Sequence, residues 1–373
     1  MLMNLSTVKS LRTCPCCRYD TAYLLKVLNY RLFDHHPLPN RMHLMGCAAC
    51  GFVYYDGDFD ERHLEEFYQK HYFINSYQHR ADHPAEKAYN ESSIDILVKN
   101  HISFNANIVD VGCGPGHLLK QMRQRGFKQL SGVELSAEYV DGLREAGFNA
   151  YLGSSMQLPI VDENKVDCFI YKNIFEHLFT LHESIQEIIH KIANGGYVLV
   201  EVPDASMYAH FEQYHPLHYF TLEHINHFDM PHLQALFKIY GFKSVDFGTR
   251  MLDIAEPFPV PIMYCLFRKE AALASSDFSD IVLNQSVKSE YLDFQLVKSA
   301  ITWFKDQEDF NKQELCALKA SQKPVYIWGL AYRTLMQCAM SPLNGCPIKS
   351  YISSFAQINP RFVELWQDIS IYH

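Results

Sequence analysis

The sequence predicts an α/β fold built on a Rossmann-like sheet, preceded by a small zinc-binding domain and followed by a small Rossmann-like α/β domain. Three observations predict it. From Asn107 onward, apolar strand-like runs alternate with helical stretches, the pattern of βαβ units and a mainly parallel sheet. The first of these runs, Asn107-Ile-Val-Asp-Val, leads directly into a glycine-rich turn, Gly112-Cys-Gly114-Pro-Gly116. Near the head of the chain stand two Cys-x-x-Cys pairs, Cys14/Cys17 and Cys47/Cys50.

The two cysteine pairs come first in the chain. Each can sit on a tight knuckle that aims both sulfurs at one ion, and two knuckles complete a closed tetrahedral thiolate site of the structural zinc type. Residues 18–46 separate the pairs, so a small hairpin or helix must fill the gap. Cys16 is a spare thiol, and His35 and His36 read as solvated loop residues. Residues 60–100 are polar and helical in pattern, with aromatics at Phe67, Tyr68, Tyr72, Phe73 and Tyr77. Strands are then expected near 107–112, 130–134, 149–152, 166–171 and 196–202, and helices near 116–126, 136–146 and 181–193. Gly195-Gly196 is expected to break the last of these helices. A helix near 231–240, ended by Gly241, and strands near 243–248 and 262–268 follow. Residues 274–280 read as a linker and 286–320 as amphipathic helix. Finally Lys323-Pro-Val-Tyr-Ile-Trp-Gly329 and Ile348-Lys-Ser-Tyr-Ile mark half of another Rossmann-like unit, without a Gly-x-Gly loop.

Composition bounds the rest. A chain of 373 residues suggests domains at 1–65, 66–270 and 271–373, and 48% hydrophobic residues suffice for a sizeable core. The net charge of −9 and the lack of a dense Lys/Arg patch argue against a nucleic-acid partner. The N-terminal residues lack the apolar stretch of a signal peptide, and nowhere do about 18 consecutive apolar residues occur. A cytoplasmic protein without a membrane span is expected, as a monomer or weak dimer with a small-molecule substrate. In a reducing compartment, the clustered cysteines among the eleven present point to metal rather than disulfides.

In an open α/β sheet, ligands bind beyond the carboxyl ends of the strands, where glycines admit a close backbone approach. A dinucleotide loop would read G-x-G-x-x-G, whereas His117 stands here where the third glycine would fall. The spacing Gly112-x-Gly114-x-Gly116, with Glu134 ending the next apolar run, resembles motif I of class I S-adenosylmethionine-dependent methyltransferases. That resemblance implies a seven-stranded sheet closed by an antiparallel pair, with Glu134 on the cofactor ribose and Asp110 anchoring its methionine amine through water. It places adenine against Ser155 and Met156, because Ser154 stands where relatives carry an acid.

The order of parts, two Cys pairs, methyltransferase core and Rossmann-like tail, resembles the nucleotide-sugar C-methyltransferases, which methylate carbon beside a ketone. Tyr171-Lys-Asn-Ile-Phe-Glu-His177 is similar to that family's histidine segment after the fourth strand. Thr221-Leu-Glu223-His224-Ile-Asn-His227-Phe228 is similar to its Y-H-E-H-x-x-Y-F segment. The resemblance implies His224 as general base with Glu223 as its partner, His177 holding substrate or sharing the proton, and Tyr72, Tyr77 and Thr221 at the sugar. Thr221, Leu222 and His227 depart from the family's Tyr, His and Tyr, and Gly329-Leu-Ala-Tyr-Arg-Thr follows its G-A-x-x-K-G only loosely. O- or N-methylation of a lipid, quinone or natural product, and a non-catalytic scaffold with a degenerate site, are the competing readings.

Overall fold

The computed structural model describes residues 6–30, 32, 35–71, 84–160, 165–211, 220–255, 258–270, 312–328, 343–344, 346–352 and 370–372. Strands β1 (Thr7–Lys9), β2 (Thr21–Asn29), β3 (Arg41–Cys47) and β4 (Val53–Asp56) form an antiparallel meander. The segment between the cysteine pairs is therefore filled by a hairpin, with Ala22 opposite Cys47 and Asn29 opposite Arg41. The sheet's fifth place belongs to a distant segment, Asn226–His227 (β10 in chain order), which pairs with Tyr54 and Val53. Helix α1 (Glu61–Glu66) starts at a capping box, with Asp60 as N-cap and the His63 side chain closing it. It continues through a π-type turn at Phe67–His71, and α2 (Pro84–Lys99) leads into the core.

The core follows the expected βαβ order: β5 (Asn107–Val111), α3 (His117–Gln124), β6 (Gln129–Glu134), α4 (Ala137–Glu145), β7 (Asn149–Leu152), β8 (Val166–Lys172), α5 (Leu181–Lys191) and β9 (Ile192–Pro203). After α6 (Met230–Lys238), β11 (Phe242–Ala255) and β12 (Phe258–Lys269) close the sheet. Its order is β11-β12-β9-β8-β5-β6-β7, parallel from β9 to β7, with β12 antiparallel to both β9 and β11.

Period-two alternation distributes the side chains between two faces. Val109, Val111, Phe169 and Tyr171 share a cluster with Ile185 and Ile188 of α5, Leu233 and Phe237 of α6, and Cys14, Cys47 and Phe52 of the N-terminal sheet. Ile108, Cys168 and Ile170 face the other way, onto Leu97 of α2, Leu119 of α3 and Val140 of α4. One core thus joins the cysteine unit to the main sheet.

Three details differ from the sequence reading. Helix α5 ends at Lys191, four residues before the glycines, and β9 already begins at Ile192. Gly195, at φ +73°, sits inside β9 where its pairing with β8 slips, between the Val166–Ile192 and Cys168–Tyr197 pairs. In the C-terminal unit, β13 (Val325–Trp328) and β14 (Ile348–Ile352) pair in parallel, and a third parallel strand, β15 (Ser370–Tyr372), joins them. Of the predicted helix over 286–320, the described part is α7 (Lys312–Ser321), while the 274–280 linker and the Gly329 segment lie outside the described residues. No helix among the described residues is long and apolar enough to cross a membrane.

Candidate active site

A cleft of about 410 Å³ opens at the carboxyl ends of β5, β6 and β8, within the usual range for a small-molecule site. Its floor is the glycine turn. Gly112, Gly114 and Gly116 have φ of +70°, +52° and +75°, values that side-chain-bearing residues seldom adopt. A Cβ at Gly112 would lie 2.1 Å from Ile174 Cδ1 and one at Gly116 2.2 Å from Leu143 Cδ2, so these two glycines serve packing. A Cβ at Gly114 would meet nothing within 4 Å, so this glycine keeps the cleft itself open. Glu134 ties the turn to β6. Its carboxylate accepts from Gly114 N at 2.9 Å, Leu135 N at 2.8 Å and Ser136 N at 2.9 Å. Burial nevertheless raises its pKa, against the lowering effect of those amides.

Asp110 and Lys172 form a buried charged floor beside this turn. Asp110 is pushed up to about 7 by burial, with Lys172 opposing the shift. Lys172, the last residue of β8, hydrogen-bonds Asn90 Oδ1, lies 3.9 Å from Glu86 and rests 3.4 Å from the centre of the Tyr89 ring. Burial lowers its pKa. Sequence reasoning missed Lys172, Asn90 and Glu86, all of which line the cleft. A lysine at the carboxyl end of a mainly apolar parallel strand was the available signal, since ligands bind at those ends.

Two histidines meet edge to face on the wall of the cleft. A single 3-10 turn, Phe175–His177, follows β8 and carries Glu176 and His177, while His224 comes from the loop before β10. The two imidazole centroids are 4.8 Å apart, tilted by 70°. His177 Nδ1 lies 3.0 Å from the Glu223 carbonyl oxygen and 2.7 Å from Tyr68 Oη. The tautomer with its hydrogen on Nδ1 satisfies the Glu223 carbonyl, which only accepts, and leaves the lone pair on Nε2. That lone pair faces Glu176, whose Oε1 is 3.7 Å away. Burial raises Glu176 to about 8 and lowers His177 to about 4, the latter against the raising effect of the Glu223 carbonyl.

The N-terminal sheet fixes both histidine-bearing segments. Arg12, two residues before Cys14, is 6% exposed, and its guanidinium donates to Leu178 O at 3.1 Å, Phe179 O at 2.6 Å and Asn226 Oδ1 at 3.0 Å. Asn226 Nδ2 in turn donates to Phe175 O at 2.9 Å and Leu178 O at 2.7 Å. The turn bearing His177 and the loop bearing His224 are thereby pinned to each other and to the cysteine knuckle.

The four cysteine sulfurs lie within 4.8 Å of one another, with Cys14–Cys50 at 3.7 Å and Cys17–Cys47 at 3.5 Å. Zinc–sulfur bonds of about 2.3 Å in a tetrahedron require edges of about 3.8 Å. The set could hold a zinc ion. Amides of Ala49 and Cys50 point at Cys47 Sγ, 3.4 and 3.5 Å away, as in thiolate knuckles. Cys16 is not one of the four and is buried beside them, its sulfur 4.0 Å from His232 O.

The structure gathers most of the predicted site residues. Asp110, Gly112, Gly114, Glu134, Ser155, His177, Glu223 and His224 all line the cleft. Gly116 stands just behind it as the N-cap of α3. Met156 instead turns its sulfur to Thr180 Oγ1, 2.7 Å away, and Thr221 lies in the turn before His224, its carbonyl accepting from His224 N at 3.3 Å. Neither is among the cleft's lining residues. Tyr72 and Tyr77 lie outside the described residues. The carboxylate that stands with the two imidazoles is Glu176, which sequence reasoning did not single out, while Glu223 reaches His177 through its backbone carbonyl. His227 is buried among Tyr55, Phe220 and Tyr208, away from the cleft.

Residues 77–246 match a family model described as a methyltransferase domain. Among solved structures, the chain is similar to a SAM-dependent methyltransferase from Methanosarcina mazei at 14% identity and a TM-score of 0.40, over 47% of this chain and 97% of that one. It is also similar to a SAM-dependent methyltransferase from Thermotoga maritima, titled a possible histamine N-methyltransferase, at 17% identity and a TM-score of 0.42, over 56% of this chain and 98% of that one. A further similar structure, from Archaeoglobus fulgidus, is titled a SAM-dependent methyltransferase, at 17% identity and a TM-score of 0.38, over 48% and 94% of the two chains. Residues 77–246, which match the methyltransferase-domain model, carry the glycine turn, Glu134, His177 and His224 on a parallel sheet closed by an antiparallel pair.

Proposed function

We propose that this protein methylates a small molecule at carbon, with a keto-sugar nucleotide as the acceptor class and His224 as the base. The observation that carries the reading is the placement of His177 and His224 together on the wall of the cleft. S-adenosylmethionine supplies a methyl group on an electrophilic sulfonium. Gly114 leaves room for it, Glu134 and Asp110 offer acceptors for its ribose and ammonium groups, and Ser155 lies where adenine is expected. Carbon becomes nucleophilic only after losing a proton, so a base and a partner for the resulting enolate oxygen must stand at the acceptor. His224 takes the first role and, once protonated, its imidazolium can donate to the enolate oxygen; His177, whose Nε2 accepts, holds a hydroxyl of the acceptor. One structural zinc on Cys14, Cys17, Cys47 and Cys50 completes an N-terminal domain over residues 1–65, ahead of a core over 66–270 and a C-terminal domain over 271–373. Incubation with methyl-labelled cofactor and a panel of nucleotide sugars tests the reading. A carbon-bound label supports it; a label confined to oxygen or nitrogen of any acceptor refutes it.

Two cofactor predictions accompany this reading. Gly114→Val should fill the open side of the turn and weaken S-adenosylhomocysteine binding by about 100-fold or more, roughly 3 kcal/mol, read by calorimetry. Parental affinity would show that the cofactor does not approach there. Asp110, held near pH 7, is neutral below that value and charged above it. Because the cofactor's ammonium group favours the charged form, affinity should fall as pH drops below about 7, by up to about tenfold per pH unit. Asp110→Asn should flatten this dependence, and an unchanged slope would remove Asp110 from the site.

A further inference from the structure

We infer that Glu176, His177 and His224 form a second metal site, separate from the four cysteines, that takes a borderline divalent cation such as zinc and thereby blocks the proposed base. The ligand atoms of these three side chains all lie within 4.8 Å of one another. Glu176 is 2% exposed, and neither of its carboxylate oxygens has a hydrogen-bond partner among the described residues. A buried carboxyl group left in that state is costly, and a cation that takes the place of its proton can satisfy it.

The gap to His177 fits an ion better than a hydrogen bond. At 3.7 Å, Glu176 Oε1 and His177 Nε2 are too far apart for a direct bond. An ion about 2.0–2.2 Å from each donor bridges separations up to about 4.2 Å. The tautomer is also set for a ligand. His177 Nδ1 gives its hydrogen to the Glu223 carbonyl, the second-sphere bond that metal-bound histidines make, and Nε2 keeps its lone pair for the site. Two imidazoles and one carboxylate on the wall of an open cleft match zinc sites that keep a coordination position for a small molecule.

The inference bears on the proposed function, because ion and proton compete for His224. With zinc bound, both imidazoles are engaged and proton removal stops, so the ion inhibits transfer. Equilibrium dialysis of the full chain against zinc chloride, with metal analysis, tests the site. The parent should hold one more zinc than Glu176→Gln and His224→Asn, whose affinity for that ion should fall by about 100-fold or more, beyond what losing an outer-sphere partner costs. S-adenosylhomocysteine affinity equal to the parent's confirms that both variants are folded. Equal zinc content in the parent and both variants would overturn the site and leave the base reading untouched. A second zinc that accelerates transfer would instead support the site and overturn His224 as base.

Discussion

His224→Asn should lower the rate of methyl transfer by about 10²–10⁴-fold, the contribution of a positioned general base, while cofactor affinity stays at the parental value. Asparagine preserves much of the shape of imidazole but accepts no proton. His177→Asn should lose less, since His177 is assigned to the acceptor's oxygen and its Nδ1 is already committed to the Glu223 carbonyl. The loss at His224 should fall on kcat rather than on KM, because the proton is removed on the way to the transition state and not in the bound ground state. Steady-state kinetics on both variants, with calorimetry for S-adenosylhomocysteine, separates the two roles. Equal and small losses at both positions would mean that neither histidine takes the proton.

Removing the zinc proposed for the four cysteines should cost at least as much, by a different route. Cys14→Ser combined with Cys47→Ser is expected to lose one zinc per chain and to unfold the sheet of β1–β4, which is too small to hold together alone. That sheet shares its core with α5 and α6, and through Arg12 it pins the turn of His177 to the loop of His224. Methyl transfer should therefore collapse although none of these four cysteines lines the cleft. Arg12→Ala isolates the linkage. It should keep the zinc but leave Phe179 O and Asn226 Oδ1 without their buried donor, at about 1–3 kcal/mol each. Its denaturation midpoint should drop and its kcat fall, with zinc content unchanged. A folded, zinc-free, fully active double cysteine variant would refute both the metal and the coupling.

The glycine turn was legible because its chemistry is local: strand, three glycines and an acid twenty residues on. So were the cysteine pairs, each spaced for a knuckle, though it is the hairpin between them that brings the two pairs together. What the sequence hid was long-range. Nothing in Asn226-His227 announces a strand that pairs with Val53 and Tyr54, because two residues carry no periodicity. Arg12 reads as an ordinary charge beside a cysteine knuckle until the fold buries it against carbonyls of residues 178 and 179. Glu223 was singled out for its adjacency to His224, yet a tight turn sends neighbouring side chains in different directions, and Glu176 supplies the carboxylate near the imidazoles instead. Lys172 was visible but lacked a partner until α2 set Asn90 and Tyr89 beside it.

The central claim, that His224 removes a proton from carbon, is tested most directly by solvent exchange. The protein, its acceptor and S-adenosylhomocysteine in deuterated water form a complex that can lose the acceptor's proton but cannot transfer methyl. The account expects deuterium to enter at the carbon beside the ketone in the parent, and to enter about 10²–10⁴-fold more slowly in His224→Asn. Exchange at the parental rate in His224→Asn would assign the base to another group, and no exchange in the parent would contradict carbon as the acceptor.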